Sequence, residues 1–150
     1  MLAELEALYR SRLPEFRRVA AALAGDAEAG RDAVQEAFAV AVRKRRSYRG
    51  EAPLEAWVWR IVVNTAHNQR RRRSAPVEPP DELHVNGSEP PSLPLDLLTA
   101  RQREVLFLRY YADLDYASIA AALDISPGTV GATLTAARAT LREALQEVPG

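Results

Sequence analysis

Residues 1–73 contain the side-chain types that bind nucleic acid. Aromatic and imidazole rings stack on unpaired bases, amides recognise base edges, and guanidinium groups bind phosphate. This mixture suits unstacked single strands better than an intact duplex. An alternative stays open, in which Trp59 belongs to a second core face and the arginines only form a solvated surface. The candidate residues are Tyr48, Arg49, Trp59, Asn64, His67, Asn68 and Arg70 to Arg73.

Enzymatic chemistry has little support in the sequence. The chain has no cysteine, which excludes a thiolate nucleophile, a disulfide framework and a sulfur-ligated zinc site. Its two histidines, His67 and His84, lie in unrelated contexts, and no cluster of carboxylates and histidines is evident. We therefore expect no enzyme, no catalytic residue, no metal and no cofactor. No apolar run approaches the roughly 18 residues of a membrane span, so we expect a cytoplasmic protein without membrane insertion.

The 20 basic and 20 acidic side chains balance overall but are distributed unevenly. Residues 1–73 carry 15 basic and 9 acidic side chains, a net charge of +6. Residues 74–96 carry five acids and no base, and residues 97–150 have a net charge of −1. Nineteen of the 20 basic side chains are arginine, whose planar fork suits phosphate, although GC-rich coding would produce the same bias.

The chain divides where its charge changes. Six of the ten prolines lie in residues 74–94, together with four acids. Because proline fixes φ and removes a hydrogen-bond donor, we expect this stretch to be a flexible, acidic, proline-rich linker. The predicted fold is therefore all-α, with two small helical domains at residues 1–73 and 95–150 joined by the linker.

Three helices are predicted before the linker. Pro14 suits the start of the first, since proline is favoured in a first helical turn. Gly25 should end it and Asp26 should cap the second. Pro53 should open the third helix, in which helical periodicity predicts one core stripe. That stripe is Leu54, Trp57, Val58, Ile61, Val62 and Thr65.

A helix-turn-helix pattern follows the linker. Thr99 and Gln102 predict a capped helix that ends near Tyr111. A short helix at residues 116–123, a turn at 124–126 and a longer helix then succeed one another, and Ser126 can cap the longer helix. A purely structural bundle stays open as an alternative for this part of the chain. The last helix should bury Val130, Leu134, Ala137, Leu141 and Leu145.

Several short motifs occur in a specific order along the chain. Residues 32–38 read Asp-Ala-Val-Gln-Glu-Ala-Phe, and residues 56–64 read Ala-Trp-Val-Trp-Arg-Ile-Val-Val-Asn before an arginine run. Residues 102–106 read Gln-Arg-Glu-Val-Leu, and residues 116–120 read Tyr-Ala-Ser-Ile-Ala. With their spacing and linker, these motifs resemble regions 2 and 4 of an alternative RNA polymerase sigma factor of the sigma-70 family, in its extracytoplasmic-function (ECF) group.

The resemblance implies how residues 1–73, like region 2, would act. Contacts to the clamp helices of core RNA polymerase would come from Asp32, Gln35 and Glu36. The loop at residues 47–51 would capture a flipped base of the promoter −10 element, which favours local melting. The predicted −10 DNA-binding residues, which include the stacking candidates, are Tyr48, Arg49, Gly50, Trp59, Asn64, His67, Asn68 and Arg71.

Residues 95–150, like region 4, would place the helix from Thr129 in the major groove of the −35 element. Many family members have lysine, serine and two arginines where this chain has Gly131, Ala132, Thr133 and Ala136. Base recognition by hydrogen-bonding pairs should therefore be weak, and shape or polymerase binding would contribute more. The predicted −35 DNA-binding residues are Ser126, Thr129, Thr133 and Arg138.

The implied function is promoter recognition and DNA melting for transcription initiation. The implied partners are core RNA polymerase, promoter DNA (duplex at −35, single-stranded at −10) and an anti-sigma factor. Two alternatives stay open: a sigma-like interaction protein that has lost promoter recognition, and a stand-alone helix-turn-helix regulator. The recognition helix, which lacks the usual basic residues of the family, supports the first alternative. The small number of basic side chains in residues 95–150 counts against the second.

Overall fold

The computed structural model describes residues 1–74 and 95–146. These ranges contain six α-helices and two short 3₁₀ helices, joined by turns and loops. The described residues contain no β-strand, so the all-α prediction is confirmed. The predicted linker, residues 74–94, lies outside the described residues except for Ser74. The helices are α1 (Leu2–Ala24), α2 (Ala27–Arg43), α3 (Leu54–Ser74), α4 (Ala100–Tyr110), α5 (Tyr116–Leu123) and α6 (Pro127–Gln146), with 3₁₀ helices at Arg45–Ser47 and Leu95–Leu97.

The first helix begins at Leu2, so the start predicted at Pro14 is wrong. Pro14 lies inside α1, where proline removes one helical hydrogen bond. Apolar packing outweighs this cost, because Leu5 is buried before the proline and Phe16 and Val19 are buried after it. The exposed ring of Pro14 points away from that core.

The junction of α1 and α2 follows the predicted turn. Gly25 has a φ of 113°, in the left-handed region that favours glycine. Asp26 Oδ1 accepts the backbone N–H of Ala29 at 2.7 Å and so caps α2. The two helices then cross closely at Gly30, where a Cβ would lie 2.6 Å from the backbone Cα and N of Ala21.

The buried face of α3 is rotated from the predicted stripe. Leu54, Trp57 and Ile61 are only half-buried. Packing against α1, α2 and α5 covers α3 on more than one side, which a single amphipathic stripe does not anticipate. The buried residues along α3 are Ala56, Val58, Trp59, Val62, Val63, Thr65 and Ala66.

The second lobe (residues 95–146) is a helix-turn-helix with the predicted caps. Thr99 and Gln102 form a reciprocal capping box at the start of α4. Asp124, between α5 and α6, adopts the left-handed conformation with φ 60°. Ser126 Oγ accepts the backbone N–H of Thr129 at 3.0 Å and caps α6. These local caps fix the residues at which α4 and α6 begin.

One predicted core residue of α6 is not in the core. Val130, Leu134 and Ala137 are buried and Leu141 is half-buried against the core, but Leu145 is 51% exposed. It borders an open apolar groove of about 570 Å³ between α4 and the end of α6. The prediction for Leu145 is wrong because its side chain borders this open groove instead of a packed interior.

The first lobe (residues 1–74) and the second lobe pack against each other. Helix α3 contacts α5, and α1 contacts α4. Buried apolar side chains form one cluster that includes residues of both lobes. The first lobe therefore presents its α3 helix partly to the second lobe and partly to solvent.

Candidate nucleic-acid interface

Helix α3 carries an exposed row of polar side chains, which we call the α3 row: Asn64, Asn68 and Arg71. Their spacing of four and three residues places them on one helical face. His67 borders the row but is half-buried. The row combines amide donors and acceptors with a guanidinium group, which suits base edges and phosphate.

The loop between α2 and α3 is folded onto itself. The hydroxyl of Tyr48 donates a hydrogen bond to the carbonyl of Ala52, and its ring lies 5.2 Å from that of Trp57. Gly50 has a φ of 79°, which permits the turn, and Arg49 is exposed beside it. These contacts of Tyr48 stabilise the loop. Because Tyr48 is only half-buried and Arg49 is exposed, part of the loop stays accessible.

Trp59 is not available to nucleic acid, so its predicted −10 role is wrong. Its side chain is fully buried, and its ring lies 4.4 Å from that of Phe16. The indole N–H donates to Glu55 Oε2 at 3.3 Å. Stacking on a base would require the core of the first lobe to open.

The predicted polymerase contacts share one face of α2. Asp32 and Gln35 are exposed. Glu36 is half-buried and accepts a hydrogen bond from Gln69 Nε2 at 3.4 Å, with Arg72 Nη2 at 3.7 Å. Glu36 therefore helps to join α2 to the end of α3, whereas Asp32 and Gln35 remain directed to solvent.

The start of α6 offers few side-chain groups that could recognise DNA bases. Ser126 and Thr129 are exposed, but their hydroxyls lie 2.8 Å apart and bond each other. Thr133 is half-buried. A Cβ at Gly131 would lie 3.4 Å from the ring of Tyr116, so this part of α6 lies close under that tyrosine.

Arg138 has a neutral partner that the sequence did not reveal. Its Nε donates to the hydroxyl of Tyr110 at 2.9 Å, and its guanidinium carbon lies 5.6 Å from the centre of that ring. This hydrogen bond raises the pKa of the Arg138 guanidinium above its ordinary value. The partners are 28 positions apart in sequence, and no local pattern connects them.

Arg60 and Glu104 are also missed by sequence patterns. Both lie where the lobes meet, and their partners are distant in sequence. Within residues 1–74 and 95–146, no three acidic or histidine side chains come together as a metal site. No helix of the described ranges is long and apolar enough to cross a membrane.

Comparison with known proteins assigns both lobes to one family. The protein-family model "Sigma-70 region 2" matches residues 8–75, and the family model "Sigma-70, region 4" matches residues 95–141. The RNA polymerase sigma-H factor of Pseudomonas aeruginosa is 31% identical, over 81% of this chain and 75% of that protein. The ECF RNA polymerase sigma-E factor of Escherichia coli is 30% identical, over 77% of this chain and 73% of that protein.

Solved structures show the same fold. CnrH, in complex with the cytosolic domain of CnrY, has a TM-score of 0.75 at 22% identity, covering 99% of this chain and 92% of that one. The sigma factor RpoE of Bartonella quintana, in complex with the anti-sigma factor NepR, has a TM-score of 0.69 at 23% identity, covering 97% of this chain and 99% of that one.

The chain therefore belongs to the sigma-70 family of RNA polymerase sigma factors. Within that family it is an alternative sigma factor of the ECF group, a transcription initiation factor for promoter recognition. The two alternatives, an interaction protein without promoter recognition and a stand-alone regulator, are not favoured, since both sigma regions are matched.

Proposed function

We propose that this sigma factor binds core RNA polymerase, recognises the −10 and −35 elements of its promoters and opens the DNA at −10. The α3 row carries the proposal. Asn64, Asn68 and Arg71 are exposed on one face of a helix that the family model assigns to region 2. The amides can bond the edges of unpaired bases while Arg71 binds phosphate.

Melting at −10 would follow from binding of the unpaired strand. A base leaves the duplex at a cost of a few kcal/mol, and contacts to the extruded base offset that cost. The loop around Arg49 and Gly50 is exposed next to a cleft of about 580 Å³ whose walls include Tyr48 and Trp57. We assign base capture to this loop, with Tyr48 as one wall of the pocket.

Polymerase binding is assigned to the exposed face of α2. Asp32 and Gln35 project to solvent from a lobe whose net charge is otherwise strongly positive. Acidic side chains there would repel DNA phosphate, so a protein partner suits them better than nucleic acid. Glu36 would add to this surface while it holds α2 to α3.

Recognition at −35 would rest on the start of α6 and on Arg138. Ser126 and Thr129 offer hydroxyls, the first turn of the helix offers backbone N–H groups, and Thr133 lies one turn further along. Without bidentate arginine contacts to guanine, base discrimination would be modest. The two lobes then divide the work, with residues 1–73 as a −10 and polymerase domain and residues 95–150 as a −35 domain.

The partners and setting of the protein follow from this role. The joining of nucleotides would belong to the polymerase, and this chain would contribute no catalytic residue. Its place of action would be the cytoplasm, where the chromosome is transcribed. Because two similar structures are complexes with NepR and CnrY, we extend the proposal to an anti-sigma partner of this chain.

Transcription in vitro tests the proposal. The purified protein is added to core polymerase and fragmented genomic DNA of its host, and transcript starts are sequenced. We expect discrete new starts that share upstream motifs. The Asp32→Arg, Gln35→Ala double variant should lose both the starts and polymerase binding, because the exposed face of α2 is altered without touching Glu36. The control is Glu143→Arg, which makes the same charge change on exposed α6.

A result without new starts from the wild-type protein, in the presence of active core polymerase, would contradict the proposal. Starts that survive the α2 double variant would contradict the assignment of the polymerase surface while leaving promoter recognition intact.

A further inference from the structure

Three exposed cations lie close together at the end of α2. They are Arg43, Lys44 and Arg46, which we call the α2 basic cluster, and they come directly before the base-capture loop at residues 47–51. Within residues 1–74 and 95–146, none of the three has an acidic side chain at ion-pairing distance. Like charges at this spacing repel one another, so an anionic partner would stabilise the cluster.

The end of α2 does not need the side chains of the cluster as caps. Arg45 Nη1 donates to the carbonyl of Val42 at 2.6 Å, and Ser47 Oγ donates to the carbonyl of Lys44 at 2.7 Å. Two cations of the cluster, Lys44 and Arg46, lie beyond the last helical residue, where the effect of the helix dipole falls off. The positions of these two cations are therefore not explained by the helix end alone.

The register between α2 and α3 places the cluster close to the α3 row. Glu36 on α2 lies 3.7 Å from Arg72, near the end of α3, so the two helices run in opposite directions. Arg43 follows Glu36 by seven residues, which is two helical turns along the same face. The same step back along α3 from Arg72 ends beside Asn64. The cluster is therefore about level with the start of the α3 row.

A base that is captured by the loop brings its phosphates with it. The phosphates on either side of the base stay joined to its sugar, so they would lie beside the loop. Only one residue separates Arg46 from Tyr48, which forms a wall of the pocket. A cation at that position can neutralise a phosphate and release the counterion that the strand had condensed. Such contacts position a strand but carry no sequence information.

We propose that the α2 basic cluster binds the phosphates that flank the captured base, and that it strengthens promoter binding without adding base specificity. The inference rests on the proposed function of the base-capture loop. The other candidate partner is an acidic surface of core polymerase. DNA is favoured because the cluster adjoins the loop, whereas Asp32 and Gln35, the exposed residues assigned to polymerase, lie at least eight positions before Arg43.

The salt dependence of promoter binding tests the proposal. The probe is a fluorescent promoter fragment whose −10 region is kept unpaired by mismatches, and it is titrated with holoenzyme that contains the full-length chain. The Lys44→Gln, Arg46→Gln double variant removes two positive charges and leaves Arg45 and Ser47, the side-chain caps of α2, in place.

The expected change is a shallower dependence of affinity on salt. Each phosphate of a single strand that a protein neutralises adds about 0.7 to the slope of log affinity against log salt concentration. The double variant should therefore lose about 1.4 of that slope. Between about 50 and 200 mM salt, the affinity of the wild-type holoenzyme should then fall by a factor about sevenfold larger than that of the variant.

The matched control is Arg17→Gln, Arg18→Gln, which makes the same charge change at two exposed positions of α1. Its slope should equal that of the wild type, so a general effect of net charge is separated from a phosphate contact. Equal slopes for all three proteins would overturn the proposal. A slope that falls equally in both variants would also overturn it, because net charge alone would then be responsible.

Two further measurements separate the other roles of the cluster. Weaker binding to core polymerase by the Lys44→Gln, Arg46→Gln variant alone, measured by pull-down, would overturn the proposal and assign the cluster to an acidic polymerase surface. A lower urea midpoint for this variant, with an unchanged slope, would overturn it in favour of a role at the helix end. All these results leave the proposed function standing while wild-type holoenzyme binds the fragment. A wild-type holoenzyme that fails to bind it would contradict the proposed function itself.

Discussion

At the scale of single residues, type and spacing identify the exposed α3 row but do not separate surface from core. Asn64 and Asn68 are exposed as binding residues should be, whereas Trp59, five positions before Asn64, is fully buried. The helical pattern accommodates both outcomes, because a tryptophan is suited equally to base stacking and to core packing. The deciding contact is the ring of Phe16, on a different helix.

Replacement of Trp59 by alanine should therefore act on stability. The change removes a fully buried ring and leaves a cavity, which costs about 3–5 kcal/mol in comparable cores. Urea denaturation followed by circular dichroism measures the loss. Trp57→Ala is the matched control, with a smaller loss expected because Trp57 is half-buried. An unchanged unfolding midpoint for Trp59→Ala, together with lost DNA binding, would reverse the assignment.

At the scale of elements, the local signals were the most informative. Asp26, Thr99 and Ser126 cap helices where the sequence predicts caps, because each signal lies within a few residues of its effect. The start of α1 and the buried face of α3 were not predictable in this way. Both depend on which other helices cover them, and that information lies elsewhere in the chain.

The crossing of α1 and α2 depends on Gly30. A methyl group there would lie 2.6 Å from backbone atoms of Ala21, so the two helices must move apart in Gly30→Ala. We expect a loss of about 1–3 kcal/mol in the free energy of unfolding, as for other overpacked sites. Thermal unfolding measures it. Gly128→Ala is the control, since the nearest atom to its added Cβ is 3.8 Å away, and should be neutral or slightly stabilising. Equal melting temperatures for the two variants would refute the close crossing.

The cap of α5 should give the protein a pH-dependent contribution to stability. Asp115 Oδ1 accepts the backbone N–H of Ser118 at 2.8 Å, which lowers the pKa of the Asp115 carboxyl. A carboxyl whose pKa is lower in the folded state stabilises the fold above its unfolded pKa. That contribution is lost as the pH falls through the folded pKa.

The variant Asp115→Asn keeps the capping geometry but does not titrate. Wild type should be the more stable protein at neutral pH, and the difference should shrink as the solution is acidified. Urea midpoints over a series of acidic pH values measure this, with Asp96→Asn as an exposed control outside any helix cap in the described ranges. A difference that does not change with pH would show that the charge has no part in the cap.

At the scale of the whole molecule, the motifs identified the family but not the arrangement of its lobes. Arg60 bonds carbonyls about 60 positions further along the chain, and His67 meets Glu104 across a separation of 37. Such contacts leave no periodic pattern in the sequence. Motifs thus propose surfaces for promoter DNA and polymerase, whereas the contacts of the second lobe with α3 become visible only in the folded chain.

The most direct test of the central claim is permanganate footprinting of a promoter identified by start mapping. Permanganate modifies unpaired thymines, so it reports DNA melting rather than binding. Wild-type holoenzyme should make thymines of the −10 region reactive. Holoenzyme with Asn64→Ala should lose at least about tenfold of that reactivity while it still co-purifies with core polymerase, because one amide contact of the α3 row to the unpaired strand is gone. Equal reactivity with the two holoenzymes would contradict the claim that the α3 row opens the promoter.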